Sequence, residues 1–146
     1  MRRQLTHAGL VLLLFLGSCI QTKLLQYSST ISDAVKIKNL AVSEFELFDL
    51  RHQLTLMQKL SMDRAVYQEE IAAYRTRRSV LLDQMQQQFR REIDMKTLSS
   101  TETDEMVMAA NYLLISANQL SQTVKKFIDD ETNHIKRFAE ESGTGN

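Results

Sequence analysis

Two histidines each follow an acidic residue by three positions, which is a spacing that metal sites on helices use. The first pair is Asp49 and His52, and the second is Glu131 and His134. Side chains three positions apart lie on one helix face, so each acid and its histidine could bind the same ion. Helical bundles with di-iron sites carry two Glu-x-x-His pairs and one carboxylate from each of two more helices. The first chemistry to consider is therefore metal binding by carboxylate and imidazole.

Several features of the sequence argue against such a site. Asp49 stands where the di-iron pattern has glutamate, a fourth helix is not evident, and further carboxylates would have to come from Glu70 or Glu105. In the simpler interpretation, His134 covers the apolar seam of its helix and His52 lies exposed. We therefore predict no metal ligands and no cofactor, and keep a metal-binding bundle as the least favoured hypothesis.

The densest basic spot is formed by Arg75, Arg77 and Arg78. Arg78 lies between Tyr74 and Leu81 at a position where the helical pattern expects an apolar side chain. Either Arg78 extends outward to water along its aliphatic stem, or it pairs with an acid across the bundle. The simplest interpretation of the triplet is a solvated face, and the alternative is contact with a lipid headgroup or a protein partner.

The first twenty residues have the order of a secretory signal. Met1-Arg2-Arg3 is basic, and an uncharged, mainly apolar run from Ala8 to Leu16 follows it. A membrane-spanning helix needs roughly 20 apolar residues, and this run is shorter. The pattern therefore predicts a cleaved signal and not a permanent anchor.

The segment Leu16-Gly17-Ser18-Cys19 resembles the lipobox of bacterial lipoproteins, in which an aliphatic residue and two small residues precede a cysteine. The resemblance implies that the Cys19 thiol receives diacylglycerol, that the chain is cut between Ser18 and Cys19, and that the new amino terminus is acylated, for example with palmitate. Ile20 follows the cysteine, and in the enterobacterial sorting rule a residue other than Asp there implies the outer membrane. The alternative is an ordinary signal peptide in which Cys19 is incidental.

Composition excludes several classes of protein. Lys and Arg together number 18 and so do Asp and Glu, so the net charge of zero offers no electrostatic case for nucleic acid. Cys19 is the only cysteine, which rules out a disulfide within the chain. No glycine occurs between Gly17 and Gly143, so a phosphate-cradling loop is absent, and no nucleophile motif is found. We predict that the protein is not an enzyme.

The absence of proline, and of glycine from the body of the chain, favours long helices. Apolar residues recur at spacings of three and four, which predicts helices at about 30–60, 62–96 and 102–141. Before them lie the signal peptide, residues 1–18, and a short lipid-anchored tether, residues 19–29. We therefore expect one all-α domain, residues 30–146, folded as an antiparallel three-helix bundle or as a long helical hairpin or coiled coil.

The predicted helix boundaries depend on hydroxyl and acidic residues that cap helix starts. Thr30 is placed to cap the first helix, and the hydroxyl-rich segment from Thr97 to Thr103 marks the last turn. Ser61 leaves two alternatives open. If the chain turns there, three helices fold into a monomer, and if it does not, one rod from Thr30 to Lys96 needs a second subunit.

Together these features predict an outer-membrane lipoprotein of the bacterial cell envelope, facing the periplasm. We expect it to act as a non-enzymatic helical interaction module of an envelope assembly of the secretion, conjugation or pilus type, as pilotin-like and exclusion-type lipoproteins do. Its partners would be the membrane, through lipid on Cys19, and a protein of that assembly. The alternative is a structural, self-associating coiled-coil protein, which would be a homo-oligomer.

Overall fold

Three long α-helices make up the computed structural model. The structure describes the backbone of residues 2–98 and 103–143, and the side chains of residues 21–60, 63–65, 67–92 and 104–141. Helix α1 spans Arg2–Met62, α2 spans Arg64–Leu98 and α3 spans Thr103–Gly143. The helices pack together, and these backbone ranges contain no strand. The prediction of an all-α bundle is confirmed.

Asp63 is the single residue that separates α1 from α2. Its amide donates a hydrogen bond to the Lys59 carbonyl, and its own carbonyl accepts one from the amide of Tyr67. The backbone groups at the junction therefore keep hydrogen-bond partners although the helix direction changes. Of the two alternatives left open at Ser61, the turn is confirmed, and it lies two residues further along the chain.

Side-chain contacts show that α2 runs back along α1. The Tyr74 hydroxyl donates to Asp49, which lies 25 positions earlier, and the Lys38 ammonium donates to Glu92, which lies 54 positions later. Contacts between residues at increasing distance from the turn are the mark of an antiparallel hairpin. The alternative of one continuous rod through this region is therefore wrong.

Helix α3 runs in the same direction as α1. Lys23 near the start of the described part of α1 pairs with Asp104 at the start of α3, and His52 near the end of α1 lies against Glu131 near the end of α3. The bundle therefore has up-down-up topology, with α2 antiparallel to both of its neighbours.

Small side chains bring α1 and α3 closer to each other than either comes to α2. Ala34 packs with Ala117 and Leu113, and Ala41 lies in the same cluster as Leu120 and Val124. Alanine lets two helix backbones approach because no long side chain stands between them. Large residues of α2, including Tyr74 and Leu81, fill the wider space on the other side of the core.

The predicted start of the first helix at Thr30 is wrong, because α1 continues through the expected tether, residues 19–29. No glycine or proline lies between Gly17 and the end of α1 at Met62. Ser29 donates its hydroxyl to the Gln26 carbonyl inside the helix and so does not act as a cap. The other helix ends agree with the predicted ones within two residues.

The side chains of the predicted lipobox, Leu16 to Cys19, lie outside the described residues. Among the residues that are described, no helix has an apolar stretch long enough to cross a membrane.

Candidate functional site

Polar and charged side chains from all three helices meet inside the bundle and form what we call the ionic layer. Helices α1, α2 and α3 each contribute, although most of the surrounding core is apolar. Its members are Asp49, His52, Glu70, Tyr74, Arg77, Arg78, Glu131 and His134.

Arg77 holds two buried carboxylates of different helices together. Its guanidinium donates to Glu70 at 2.7 Å and to both oxygens of Glu131, one of them at 3.0 Å. Hydrogen bonds to Glu131 raise the pKa of Arg77, and those to Glu70 act in the same direction. Oε2 of Glu70 also accepts a hydrogen bond from Nε2 of His134, at 3.0 Å. Although burial alone would raise the pKa of Glu70, its bonds to His134 and Arg77 hold it below the ordinary value.

Asp49 is the second centre of the ionic layer. Arg78 donates from Nε to both of its oxygens at 2.8 Å, and the Tyr74 hydroxyl and the Gln53 amide donate to Oδ1 at 2.7 and 2.8 Å. Burial would raise the pKa of Asp49, but these three donors outweigh it, so the pKa is lowered. The carboxylate is therefore charged and fully occupied by donors.

His52 is buried, and the expectation that it lies exposed is wrong. Its ring lies between Phe48 and Tyr74, with centroids 5.1 and 4.3 Å away. Nε2 is 3.9 Å from an oxygen of Glu131, and it has no hydrogen-bond partner among the described residues. Burial lowers the pKa of His52, and the attraction of Glu131 only partly offsets this. The folded protein therefore favours the neutral imidazole.

A decline of stability in mild acid should follow from the lowered pKa of His52. As the pH falls through the ordinary value of 6.5, the unfolded chain takes up the proton first, and the folded state loses stability until the folded pKa is passed. The slope for one proton is at most about 1.4 kcal/mol per pH unit. We expect the free energy of unfolding, measured with urea and circular dichroism, to fall from pH 7 to 5 in the wild type and to stay flatter in His52→Gln.

A variant that disturbs the packing of the same ring without removing the imidazole is the matched control for this titration. Phe48→Leu should lower stability at both pH values and keep the decline, since Phe48 stacks on His52 and does not titrate. If His52→Gln and the wild type lost the same stability between pH 7 and 5, the decline would have to come from another group.

The structure brings together most of the residues considered as metal ligands but pairs them differently. His134 contacts Glu70 of α2, and Arg77 occupies Glu131, so neither acid-x-x-His pair acts as a unit. Glu105 is exposed near the start of α3, away from the layer. Among the described residues, no group of three histidine, cysteine or acidic side chains could hold a metal ion.

The arginine triplet is divided by the fold. Arg75 is exposed, whereas Arg77 and Arg78 are partly buried in ion pairs with acids of the other helices. For Arg78, the alternative of pairing with an acid across the bundle is confirmed. Only Arg75 is left free by these pairs to meet a headgroup or a partner, so the triplet is not one continuous basic surface.

A row of exposed apolar side chains follows the side of α1 that faces away from the bundle. Steps of three and four alternate along it without interruption, and the apolar members are exposed over 51 to 64% of their surface. At 3.6 residues per turn, the row lies about half a turn from the core positions Ala41, Phe45 and Leu56. We call it the outer stripe, and it consists of Leu40, Ser43, Leu47, Leu50, Leu54 and Met57.

Helix α1 therefore has two apolar faces, one of which the bundle leaves in solvent. Large side chains exposed in a continuous row are typical of surfaces that bind another protein. A groove of about 460 Å³ borders the stripe on the α3 side and is lined in part by Leu47, Arg51 and Lys125. Comparisons of the chain with protein-family models, with curated proteins and with solved structures found no match.

Proposed function

We propose that the chain is an outer-membrane lipoprotein that serves as a non-enzymatic helical interaction module in a bacterial envelope assembly of the secretion, conjugation or pilus type. The observation that carries this proposal is the outer stripe, because it presents large apolar side chains that the bundle does not use. The anchor is inferred separately, from the lipobox that ends at Cys19.

The spacing of the outer stripe supports helical recognition. Residues at i, i+3, i+4 and i+7 of one helix form the contact face that enters the groove of a partner or packs against a second helix. Leu47, Leu50 and Leu54 lie at i, i+3 and i+7 of this pattern, and Leu40 lies seven residues before Leu47. Because α1 is already ordered by its packing against α3, a partner would meet a preformed surface and would not bear the entropy cost of folding it.

The ionic layer supports a structural role for the buried polar groups. The carboxylates of Asp49, Glu70 and Glu131 are engaged by guanidinium, hydroxyl, amide or imidazole groups of the same bundle. Buried ionic networks of this kind fix how helices align, which is a use of charge that needs no substrate. A rigid bundle is what a docking surface requires.

Crosslinking in envelopes of cells that express the full chain tests this function. The wild-type protein should sediment with the outer membrane on a density gradient and give crosslinked protein complexes. Leu47→Lys with Leu54→Lys should sediment in the same way but lose the complexes, because two charges now interrupt the stripe.

The control places the same charge on an exposed apolar side chain away from the stripe. Val80 on α2 is 52% exposed, and Val80→Lys should keep both location and complexes. Recovery of the wild-type chain outside the outer-membrane fraction would contradict the proposed location. Complexes that survive in the double lysine variant would contradict the proposed surface.

A further inference from the structure

We propose that the outer stripe, on which the proposed function rests, takes a second copy of this chain as its partner and is the seam of a parallel dimer. The stripe has the heptad form of a two-stranded coiled coil, with one set of positions at Leu40, Leu47 and Leu54 and the other at Ser43, Leu50 and Met57. These six residues span about 27 Å of helix. They lie on the side of α1 opposite its core residues Ala41 and Phe45, and α2 and α3 leave the apolar ones exposed.

The charges beside the stripe fit a second copy. In a parallel coiled coil, the residue that precedes Leu40, Leu47 or Leu54 in one copy faces, in the other copy, the residue five places further along the chain. Glu46 of one copy then faces Arg51 of the other, and the twofold axis repeats this pair. The same rule places Asn39 against Glu44, and it places no two like charges together. A seam of this kind is complementary to itself.

Charge alone does not choose between parallel and antiparallel copies, because Glu44 would face Arg51 in an antiparallel pair. The residue pairs across the seam and the proposed membrane anchor both favour the parallel direction. In the parallel pair the two Ser43 hydroxyls face each other and can share a hydrogen bond, and every leucine meets its equivalent, whereas an antiparallel pair would set each Ser43 hydroxyl against the apolar Leu54. The choice of direction also rests on the proposed function, since two chains held by lipid at Cys19 in one membrane have their amino ends on the same side.

Disulfide formation at Ser43 tests the parallel dimer in membranes that contain the full chain. Ser43→Cys should give a product of twice the monomer mass on a non-reducing gel after mild oxidation, because the two copies of this position face each other. In an antiparallel pair the two positions are displaced by about 16 Å along the axis, which is beyond disulfide reach. The absence of the product would overturn the parallel dimer.

Two controls separate a specific contact from collision. The wild-type chain, whose only thiol is that of Cys19, should give no disulfide-linked product, and neither should Ser79→Cys, which is exposed on α2. A product from Ser79→Cys as strong as that from Ser43→Cys would mean random contact and would also overturn the proposal.

Light scattering of the detergent-solubilised chain measures the number of copies in the particle and so tests the same dimer seam independently. We expect twice the monomer mass for the wild type and one monomer for Leu47→Lys with Leu54→Lys, at unchanged helicity. Palmitate labelling distinguishes the two proposals. A lipid-labelled chain that stays monomeric would overturn the dimer and leave the proposed function standing. An unlabelled chain that dimerises through the stripe would contradict the proposed lipoprotein and leave the dimer standing.

Discussion

Replacement of Cys19 by serine is expected to abolish incorporation of labelled palmitate and to leave the precursor uncleaved. Cys19 is the only thiol in the chain, so no other residue can accept diacylglycerol through sulfur. The lipoprotein peptidase acts after the cysteine has been modified, so cleavage before residue 19 should fail together with lipid attachment. Metabolic labelling followed by gel electrophoresis measures both effects, and the expected loss of label is complete.

The adjacent residue provides the control for this experiment. Ser18→Ala keeps a small side chain before the cysteine, as the lipobox pattern requires, and should be labelled and cleaved like the wild type. Palmitate incorporation that persists in Cys19→Ser would show that Cys19 is not the lipid acceptor, and cleavage that persists would show that the segment is an ordinary signal peptide.

Replacement of Arg77 by methionine is expected to have the largest effect on stability. Methionine keeps the aliphatic stem but leaves Glu70 and Glu131, both nearly inaccessible to solvent, without their shared cation. Breaking a buried ion pair by removing one partner costs about 3 to 5 kcal/mol. Because 34% of the Arg77 side chain remains exposed, we expect the lower end, about 3 kcal/mol, in the free energy of urea unfolding.

Arg75→Met is the matched control, since it removes the same charge two positions away on the exposed side of α2. Its effect should stay within about 0.5 kcal/mol, as for other surface substitutions. Equal effects of the two variants would show that Arg77 contributes no more than a solvated arginine. Adding Glu131→Gln to Arg77→Met should recover part of the loss, because one uncompensated charge is removed.

The all-α class and five of the six helix ends could be predicted because local chemistry decides them. Apolar spacing and the hydroxyl-rich boundary from Thr97 to Thr103 mark segments that end where the backbone needs caps. The start at Thr30 could not be predicted in this way. A hydroxyl residue caps a helix only if the helix stops, and in α1 the chain upstream stays helical, so Ser29 bonds inside it.

The pairing inside the ionic layer could be predicted only in part. Spacing places Asp49 and His52 on one helix face, but it does not predict which residues of α2 and α3 lie at the same level along the bundle axis. That alignment follows from the turn at Asp63 and from the alanine contacts of α1 with α3. The one usable signal was Arg78 in an apolar position, for which pairing with an acid across the bundle was one of two alternatives, and the structure confirms that one.

The outer stripe was hidden by the core pattern. Residues such as Phe45 and Leu56 face the bundle, and Leu47 and Leu54 face away, yet all recur at steps of three and four. A list of apolar positions therefore indicates one wide face where the folded helix has two narrow ones. Burial, which only tertiary structure supplies, separates them.

The parallel packing of α1 against α3 also sets the order in which the molecule can assemble. Lys23 and Asp104 are 81 positions apart, and the alanine contacts join segments separated by a similar length. The hairpin of α1 and α2 needs only neighbouring sequence and can form early, whereas α1 meets its closest neighbour after the last third of the chain has emerged from the ribosome. Until then the alanine face of α1 has no partner, and a newly made chain stays loosely packed.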